Sequence, residues 1–178
     1  MNINKPWMSE AEIEVIKKYL TTDKIMLEYG CGGSTTYFPQ YVKEYYSIEH
    51  DVEWFNRVKS KTKNLKNLQI FNIPKNSTTK NVVTARDWFS LDTSSKYKDF
   101  YDYIRFPQKL NIKFDIVLID GRARPECAKF ISDFLNYNAI VFIHDYWLRK
   151  HYHVVEEKYT VIDAIKNGQS IVSLKAKE

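Results

Sequence analysis

The segment Lys24-Ile-Met-Leu-Glu28-Tyr-Gly30-Cys-Gly32-Gly33-Ser34-Thr35-Thr36 decides the fold prediction for this chain. An apolar run leads into a glycine-rich turn, and a second run, residues 44–49, ends on the acid Glu49. Glycine has no Cβ, so a turn built from it lets the backbone approach a ligand closely. The pattern predicts a nucleotide-handling βαβ unit, in which the acid accepts hydrogen bonds from ribose hydroxyls.

The rest of the chain continues to alternate between strand and helix patterns, which predicts an α/β fold with helices on both faces of a mostly parallel sheet. Residues 114–120 and 139–145 are apolar almost throughout, as expected of central strands covered on both faces. Near the end, Asn167-Gly168 predicts the turn of an antiparallel hairpin. The seven predicted strands are residues 24–29, 44–49, 68–73, 114–120, 139–145, 159–166 and 170–177.

Capping residues predict where the helices begin. Ser9 and Glu12 form a capping box that begins a helix extending to about residue 21. The other expected starts are Ser34 or Thr35, Asp51 (with Val52, Phe55 and Val58 facing inward), Pro125, and a helix over 151–158.

Length and composition predict a single domain over residues 1–178. Residues 75–112 fit the alternation poorly and are interpreted as a variable insertion near the active site. Within it, residues 82–89 are expected to form either a short helix or an edge strand. Residues 97–106 are expected to form a helix that ends before Pro107.

The sequence Glu28-x-Gly30-x-Gly32 resembles motif I of the class I S-adenosylmethionine-dependent methyltransferases. The terminal hairpin is also similar to the ending of that Rossmann-like fold. The resemblance implies S-adenosylmethionine as cofactor and S-adenosylhomocysteine as product, with Glu49 at the ribose. The implied cofactor-binding residues are Glu28, Gly30, Gly32, Gly33, Ser34, Glu49 and His50. It also suggests that Trp7 folds over the cofactor.

A narrower resemblance involves the ends of the two central strands. Asp120-Gly121 and His144-Asp145, followed by Arg149 and Val155-Glu156, are similar to the glucuronoxylan group of sugar O-methyltransferases. The resemblance implies an O-methyltransferase that acts on a sugar, sugar nucleotide or glycan hydroxyl. A non-catalytic adenosyl- or nucleotide-binding module is the alternative from another functional class.

The carboxyl ends of parallel strands meet at one edge of a sheet, where ligands bind. His144 is the expected base for a hydroxyl acceptor, because imidazole titrates near neutrality. Asp120 is the rival base, and Asp145 is expected to orient His144 or the acceptor. The alternative is a histidine bonded to nearby backbone, with Asp145 capping the next turn.

Catechol-type O-methyltransferases bind a divalent cation with acids at the ends of the fourth and fifth strands. The comparable positions in this sequence are occupied by Asp120, His144 and Asp145. A metal-assisted enzyme for a small metabolite is therefore a second candidate, with manganese or cobalt suited to the histidine.

Polar residues next to the predicted site indicate how an acceptor is held. Arg122, Arg124 and Arg149 favour an anionic acceptor, since guanidinium groups pair with carboxylates and phosphates. The alternative is that these arginines pair with Asp133, Glu126 or Glu156. Tyr146 follows the same strand end and is a further candidate substrate contact.

The remaining composition bounds the partners and the compartment. The net charge is +5, with lysines at 59, 61, 63 and 66, and we interpret them as a solvated helix end rather than a nucleic-acid site. There is no apolar run of about 20 residues and no apolar signal core at the N-terminus. Two cysteines fit a reducing compartment. The sequence therefore predicts a cytoplasmic protein with no membrane partner. A tRNA or rRNA methyltransferase is a further alternative, which is disfavoured because no recognised nucleic-acid module appears in the sequence.

Overall fold

A seven-stranded sheet forms the centre of the computed structural model, which describes residues 4–76, 97–166 and 170–177. The strand order is β3-β2-β1-β4-β5-β7-β6. The strands are β1 Ile25–Tyr29, β2 Glu44–Glu49, β3 Leu68–Asn72, β4 Phe114–Ile119, β5 Leu135–His144, β6 Tyr159–Ile165 and β7 Ile171–Ala176.

Parallel pairing joins β3, β2, β1, β4 and β5, while β7 pairs antiparallel with β5 and with β6. The predicted Rossmann-like sheet with an antiparallel ending is therefore confirmed. The chain moves outward from β1 to β3 and returns to the other side of β1 at β4. This reversal between β1 and β4 creates the crevice in which open α/β sheets bind ligands.

Helical segments surround the sheet. They are α1 Glu10–Lys17, α2 Gly33–Tyr37, α3 Val52–Lys61, α4 Tyr101–Arg105 and α5 Arg124–Ile131, together with 3-10 segments at Phe38–Tyr41, Tyr97–Phe100, Phe106–Leu110, Ser132–Phe134 and Lys150–Glu157. No helix in the described ranges is long and apolar enough to cross a membrane.

The core has two parts because strand side chains alternate between the two faces of the sheet. On one face, Leu27 and Tyr29 pack with residues of α5 such as Ile131. On the other face, Met26 packs with residues of α1 such as Ile13. Helices therefore cover both faces, as the sequence predicted.

The predicted caps of α1 and α3 are present, but the two helices differ from the prediction in length or in their buried face. Ser9 and Glu12 form the expected capping box, but α1 ends at Lys17, earlier than predicted. Asp51 caps α3 by accepting a hydrogen bond from the Trp54 amide. The predicted inward face of α3 is only partly correct: Val58 is buried, whereas Val52 is 55% exposed because it occupies the first turn, beyond the sheet.

The prediction that Ser34 or Thr35 caps α2 is wrong, because the N-cap is Gly32. Both hydroxyls instead donate hydrogen bonds to Glu28, and Thr35 Oγ1 also accepts one from the Gly32 amide. The buried carboxylate thus draws these side chains into the first turn of the helix.

Other differences are local. The predicted helix over 97–106 begins as a 3-10 segment, Tyr97–Phe100, and continues as α4, which ends at Arg105 just before Pro107, as predicted. Pro107 lies in the following 3-10 segment, Phe106–Leu110, whose C-cap Asn111 has a φ of 53°. β5 begins four residues earlier than predicted, and Asn138 within it has a φ of 62°. The helix predicted over 151–158 is a 3-10 helix, Lys150–Glu157. The predictions for residues 82–89 and for the turn at Asn167-Gly168 lie outside the described residues.

Candidate active site

A cavity of about 730 Å³ opens at the carboxyl ends of β1, β2, β4 and β5. Its walls come from the glycine turn at 30–34, the start of α3, the turns after β4 and β5, and the segment before α1. The lining residues are Lys5, Trp7, Gly30, Cys31, Gly32, Gly33, Ser34, His50, Asp51, Trp54, Asp120, Gly121, Arg122, Arg124, His144, Asp145 and Arg149. Most of the predicted site residues therefore meet in one place.

Two glycines of the turn are required by close backbone packing. Gly30 has φ +93°, and a Cβ there would lie 2.5 Å from the Cα of Gly121. At Gly33, a Cβ would lie 1.8 Å from the carbonyl oxygen of Lys5. At Gly32 the nearest atom would be 3.9 Å away, so this position alone has room for a side chain.

Glu28 lies behind the turn, fully buried, and is not part of the cavity wall. Its carboxylate accepts hydrogen bonds from the hydroxyls of Ser34, Thr35 and Ser47, the last two at 2.6 and 2.8 Å. Burial raises the pKa of Glu28 to about 7, because the hydroxyl donors offset only part of the desolvation of the charge. Through these hydrogen bonds Glu28 connects β1 to α2 and to β2.

This raised pKa predicts a specific dependence of stability on pH. The carboxyl group binds its proton more tightly in the folded chain than in the unfolded chain, where the pKa is near 4.5. Its contribution is complete below pH 4.5 and is lost as the pH rises through 7. The loss amounts to roughly 3 kcal/mol of the free energy of unfolding. Glu28→Gln should remove this loss when urea unfolding is compared at pH 5 and pH 8. An equal loss in the variant and the parent would contradict the prediction.

Glu49 joins the ends of β1 and β2. The side chain is 4% exposed, and its carboxylate accepts hydrogen bonds from the backbone amides of Cys31, His50 and Asp51 at 2.7–3.0 Å. The neighbouring His50 and Asp51 line the cavity, whereas Glu49 lies just behind them. A ligand in the cavity would meet a turn whose geometry Glu49 maintains.

His144 is held between two carboxyl groups. Its Nδ1 lies 2.9 Å from Asp120 Oδ1, and its Nε2 lies 3.5 Å from Oε1 of Glu12, a residue of α1. Burial alone lowers the pKa of a histidine, but the charge of Asp120 and the contacts with Asp120 and Glu12 raise the pKa of His144 to about 9. The imidazole ring is therefore protonated at neutral pH.

Asp120 differs from His144 in being partly exposed to the cavity, with a side-chain exposure of 26%. Burial raises the pKa of Asp120, but the neighbouring His144 and Arg124 outweigh this and hold it below its usual value. The carboxyl group that faces the cavity is therefore ionised at neutral pH.

Arg124 connects the turns after β4 and β5. Its guanidinium pairs with Asp120 at 3.2 Å and with Asp145 at 3.1 Å, and it also donates to the backbone carbonyls of Gly121 and His144. The predicted alternative of an internal ion pair is thus the observed arrangement, but with different acids from those expected. The buried Arg124 serves as a bridge within the site.

The remaining predicted acceptor contacts divide into two groups. Arg122 and Arg149 line the cavity. Arg149 also pairs with Asp145 at 3.1 Å and donates to the hydroxyl of Tyr152. Tyr146, in contrast, is fully buried, donates to Glu156, and is not brought to the cavity wall.

The cluster Asp120, His144 and Asp145 places its ligand atoms within 4.8 Å of one another. However, the Arg124 guanidinium already pairs with both carboxylates, and His144 Nδ1 faces Asp120. A divalent cation would have to displace or repel these positive charges. The residues therefore do not fit a metal, and we assign none to them.

Four wall or support residues were not among the predicted site residues. From the sequence, Glu12 and Asp51 were interpreted only as helix-capping residues. Lys5 carries no sequence signal for this position. Trp54 donates its indole N–H to the Cys31 carbonyl at 2.6 Å and so holds the glycine turn from the α3 side. Trp7, suggested by the resemblance, does line the cavity and is 72% exposed.

Solved structures resemble this architecture over nearly its whole length. A methyltransferase-like protein from Silicibacter pomeroyi superposes with a TM-score of 0.68 at 21% identity, covering 98% of this chain and 90% of that chain. The chain has a methyltransferase fold.

More distant structures with this fold include an rRNA methylase from Streptococcus thermophilus and the N-methyltransferase NodS from Bradyrhizobium japonicum. The rRNA methylase has a TM-score of 0.63 at 12% identity and covers 94% of this chain and 95% of that chain. NodS, in complex with S-adenosyl-L-homocysteine, has a TM-score of 0.58 at 12% identity, covering 95% of this chain and 88% of that chain. No protein-family model and no curated protein matches the sequence.

Proposed function

We propose that this chain is an S-adenosylmethionine-dependent methyltransferase. The observation that carries the proposal is the tightly packed glycine turn at the reversal point of a methyltransferase fold, with Glu49 binding the amides of the next turn. NodS, which shares the fold, is in complex with S-adenosyl-L-homocysteine. The proposed donor-binding residues are Gly30, Gly32, Gly33, Ser34 and His50, with Glu28 and Glu49 supporting the two turns from behind.

The donor supplies a methyl group on a sulfonium, which an acceptor oxygen can attack in line. The chain must hold the two reactants in contact, which supplies much of the rate. It must also take up the hydroxyl proton as the new bond forms. Of the two candidate bases, we propose Asp120, because its carboxylate is ionised and faces the cavity, whereas His144 already carries a proton. Asp145 is proposed to hold Arg124 and Arg149 in place.

For the acceptor we propose a hydroxyl of a sugar, sugar nucleotide or glycan that carries a negative charge. Arg122 and Arg149 contribute to the cavity wall, where their guanidinium groups would attract a carboxylate or phosphate. Lys5 also lines the cavity, where it pairs with Glu10. The metal-assisted alternative has less support, since Arg124 occupies the place of a cation between Asp120 and Asp145.

Calorimetric titration with S-adenosylhomocysteine tests the donor site directly. Binding with micromolar or tighter affinity supports the proposal, and no binding contradicts it. Transfer of a labelled methyl group should then be measured over acidic and neutral glycans, sugar nucleotides, catechols and RNA, each with and without a chelator. Transfer to acidic sugars that is insensitive to the chelator supports the proposed acceptor. Donor binding without turnover on any acceptor would favour the non-catalytic module.

Glu49→Ala should weaken binding of S-adenosylhomocysteine by roughly 10- to 100-fold, because the amides of Cys31, His50 and Asp51 lose a charged acceptor and the turn loses its geometry. Glu53→Ala is the matched control, since Glu53 is an exposed acid two residues into α3. Unchanged affinity in the Glu49 variant would place the donor elsewhere.

A further inference from the structure

Glu12 divides its carboxylate between two tasks. Oε2 accepts hydrogen bonds from the amide and the hydroxyl of Ser9, both at 2.7 Å, and so completes the capping box of α1. Oε1 points away from the cap toward Nε2 of His144, 3.5 Å away. Neither Oε1 nor Nε2 has a hydrogen-bond partner in the part of the chain that the structure describes, so the two buried atoms face each other as a charge contact. A capping box needs only one of these oxygens, so the second contact requires its own explanation.

Burying a carboxylate is costly unless a positive charge or hydrogen bonds compensate for the lost water. Glu12 is 1% exposed and His144 is 3% exposed. An imidazolium at His144 compensates for the charge of Glu12 on one side and that of Asp120 on the other. The protonated ring therefore fits this position, because a neutral ring would bring no positive charge to either carboxylate.

Charged groups from three parts of the fold surround His144. Glu12 faces the ring from α1, Asp120 faces it from the turn after β4, and Asp145 lies 3.9 Å from Nδ1. Arg124 donates to the backbone carbonyl of His144 and pairs with both aspartates. The ring is thus surrounded by three carboxylates and one guanidinium.

We propose that Glu12 is a positioning residue that holds the His144 ring as an imidazolium between two carboxylates, so that Asp120 and not His144 accepts the acceptor proton. The proposal rests on the proposed function for its chemical consequence. The hydroxyl proton passes to a carboxylate oxygen of Asp120 as the acceptor oxygen takes the methyl group and the sulfur keeps the electron pair of the broken bond. His144 keeps both of its ring protons throughout, and Asp120 afterwards loses its proton to water in the cavity.

The pKa shifts of Glu12 and His144 agree with this arrangement. Burial raises the pKa of Glu12, but the contacts with His144 and Ser9 outweigh this and lower it, while the pKa of His144 is raised. Both changes describe a pair that prefers its charged form in the folded chain.

The first test uses Glu12→Gln and measures the ring signals of His144 by NMR as the pH is varied, without donor or acceptor. The apparent pKa of His144 should fall by at least about one unit. Glu14→Gln is the matched control, because Glu14 lies on the exposed face of the same helix. Ser9→Ala removes the cap but keeps Glu12, so it separates helix stability from the charge effect. An unchanged His144 pKa in a folded Glu12→Gln variant overturns the proposal, as does an equal shift in Ser9→Ala.

The second test is the pH profile of kcat in Glu12→Gln. If His144 acts as an imidazolium, the alkaline limb of the profile should move to lower pH, by the same amount as the pKa measured by NMR. If His144 were the base, the acidic limb would move instead and the rate near pH 7 would rise, which overturns the proposal. The NMR titration needs no turnover, so a failure of the proposed enzymatic function is distinguishable from a failure of this inference.

Discussion

Gly30→Ala should abolish measurable donor binding and lower the stability of the whole chain. A Cβ at this position would lie 2.5 Å from the Cα and 2.6 Å from the amide nitrogen of Gly121. Backbone atoms cannot yield as the end of a flexible side chain can, so the turns after β1 and β4 must separate. The φ of +93° adds strain for any residue with a side chain. Strain and overpacking together should cost about 2–5 kcal/mol of the free energy of unfolding.

Gly32→Ala is the matched control for stability, since the nearest atom to its Cβ would be 3.9 Å away and its φ of −176° suits any residue. Thermal unfolding of both variants and titration with S-adenosylhomocysteine provide the measurements. We expect a clear fall in Tm for Gly30→Ala and little change for Gly32→Ala. Equal stability of the two variants would show that the contact between Gly30 and Gly121 does not constrain the turn.

Asp120→Asn should lower kcat by roughly 100- to 10,000-fold, as expected for loss of a general base. The amide keeps the size of the side chain and an oxygen for His144, but it cannot take up a proton. The affinity for S-adenosylhomocysteine should change less than about threefold, because the Asp120 side chain is not among the proposed donor-binding groups. The effect should therefore fall on the chemical step.

Asp133→Asn is the control for this substitution, because Asp133 is an exposed aspartate outside the cavity. Single-turnover rates with saturating donor separate chemistry from binding. If Asp120→Asn retains a rate near that of the parent, the proton acceptor is another group. Arg124 also loses one of its two charged partners, so circular dichroism should accompany the kinetics to confirm the fold.

The arrangement of strands could be predicted from the sequence because buried parallel strands have a local signature. The nearly continuous apolar run at 114–120 corresponds closely to β4, and the predicted strand at 44–49 corresponds to β2. The start of β5 was missed because Asn136, Tyr137 and Asn138 are polar or exposed, and they lie in an irregularity between the pairs Phe114–Leu135 and Ile116–Ile140. The cap of α2 was missed for a similar reason, since a distant carboxylate, Glu28, binds the hydroxyls that would otherwise serve as caps.

The position of the candidate site was predictable, but its internal pairings were not. Carboxyl ends of parallel strands converge in any such fold, so Asp120, His144 and Asp145 could be placed together. Arg124 pairs with both Asp120 and Asp145. This pairing depends on the shape of the turn after β4, in which Ala123 has a φ of 51°. The contact of Glu12 with His144 could not be predicted, because the spacing of Glu12 from Ser9 is already explained by the capping box of α1.

The contact between Gly30 and Gly121 also has a consequence for protein engineering. With two backbones touching, neither turn can be lengthened or exchanged for the corresponding loop of another protein without separating β1 from β4. Attempts to redirect the chain to a new acceptor should therefore leave this part of the rim unchanged. The Trp7 side chain also borders the cavity and is 72% exposed, so it is the better position for library diversity.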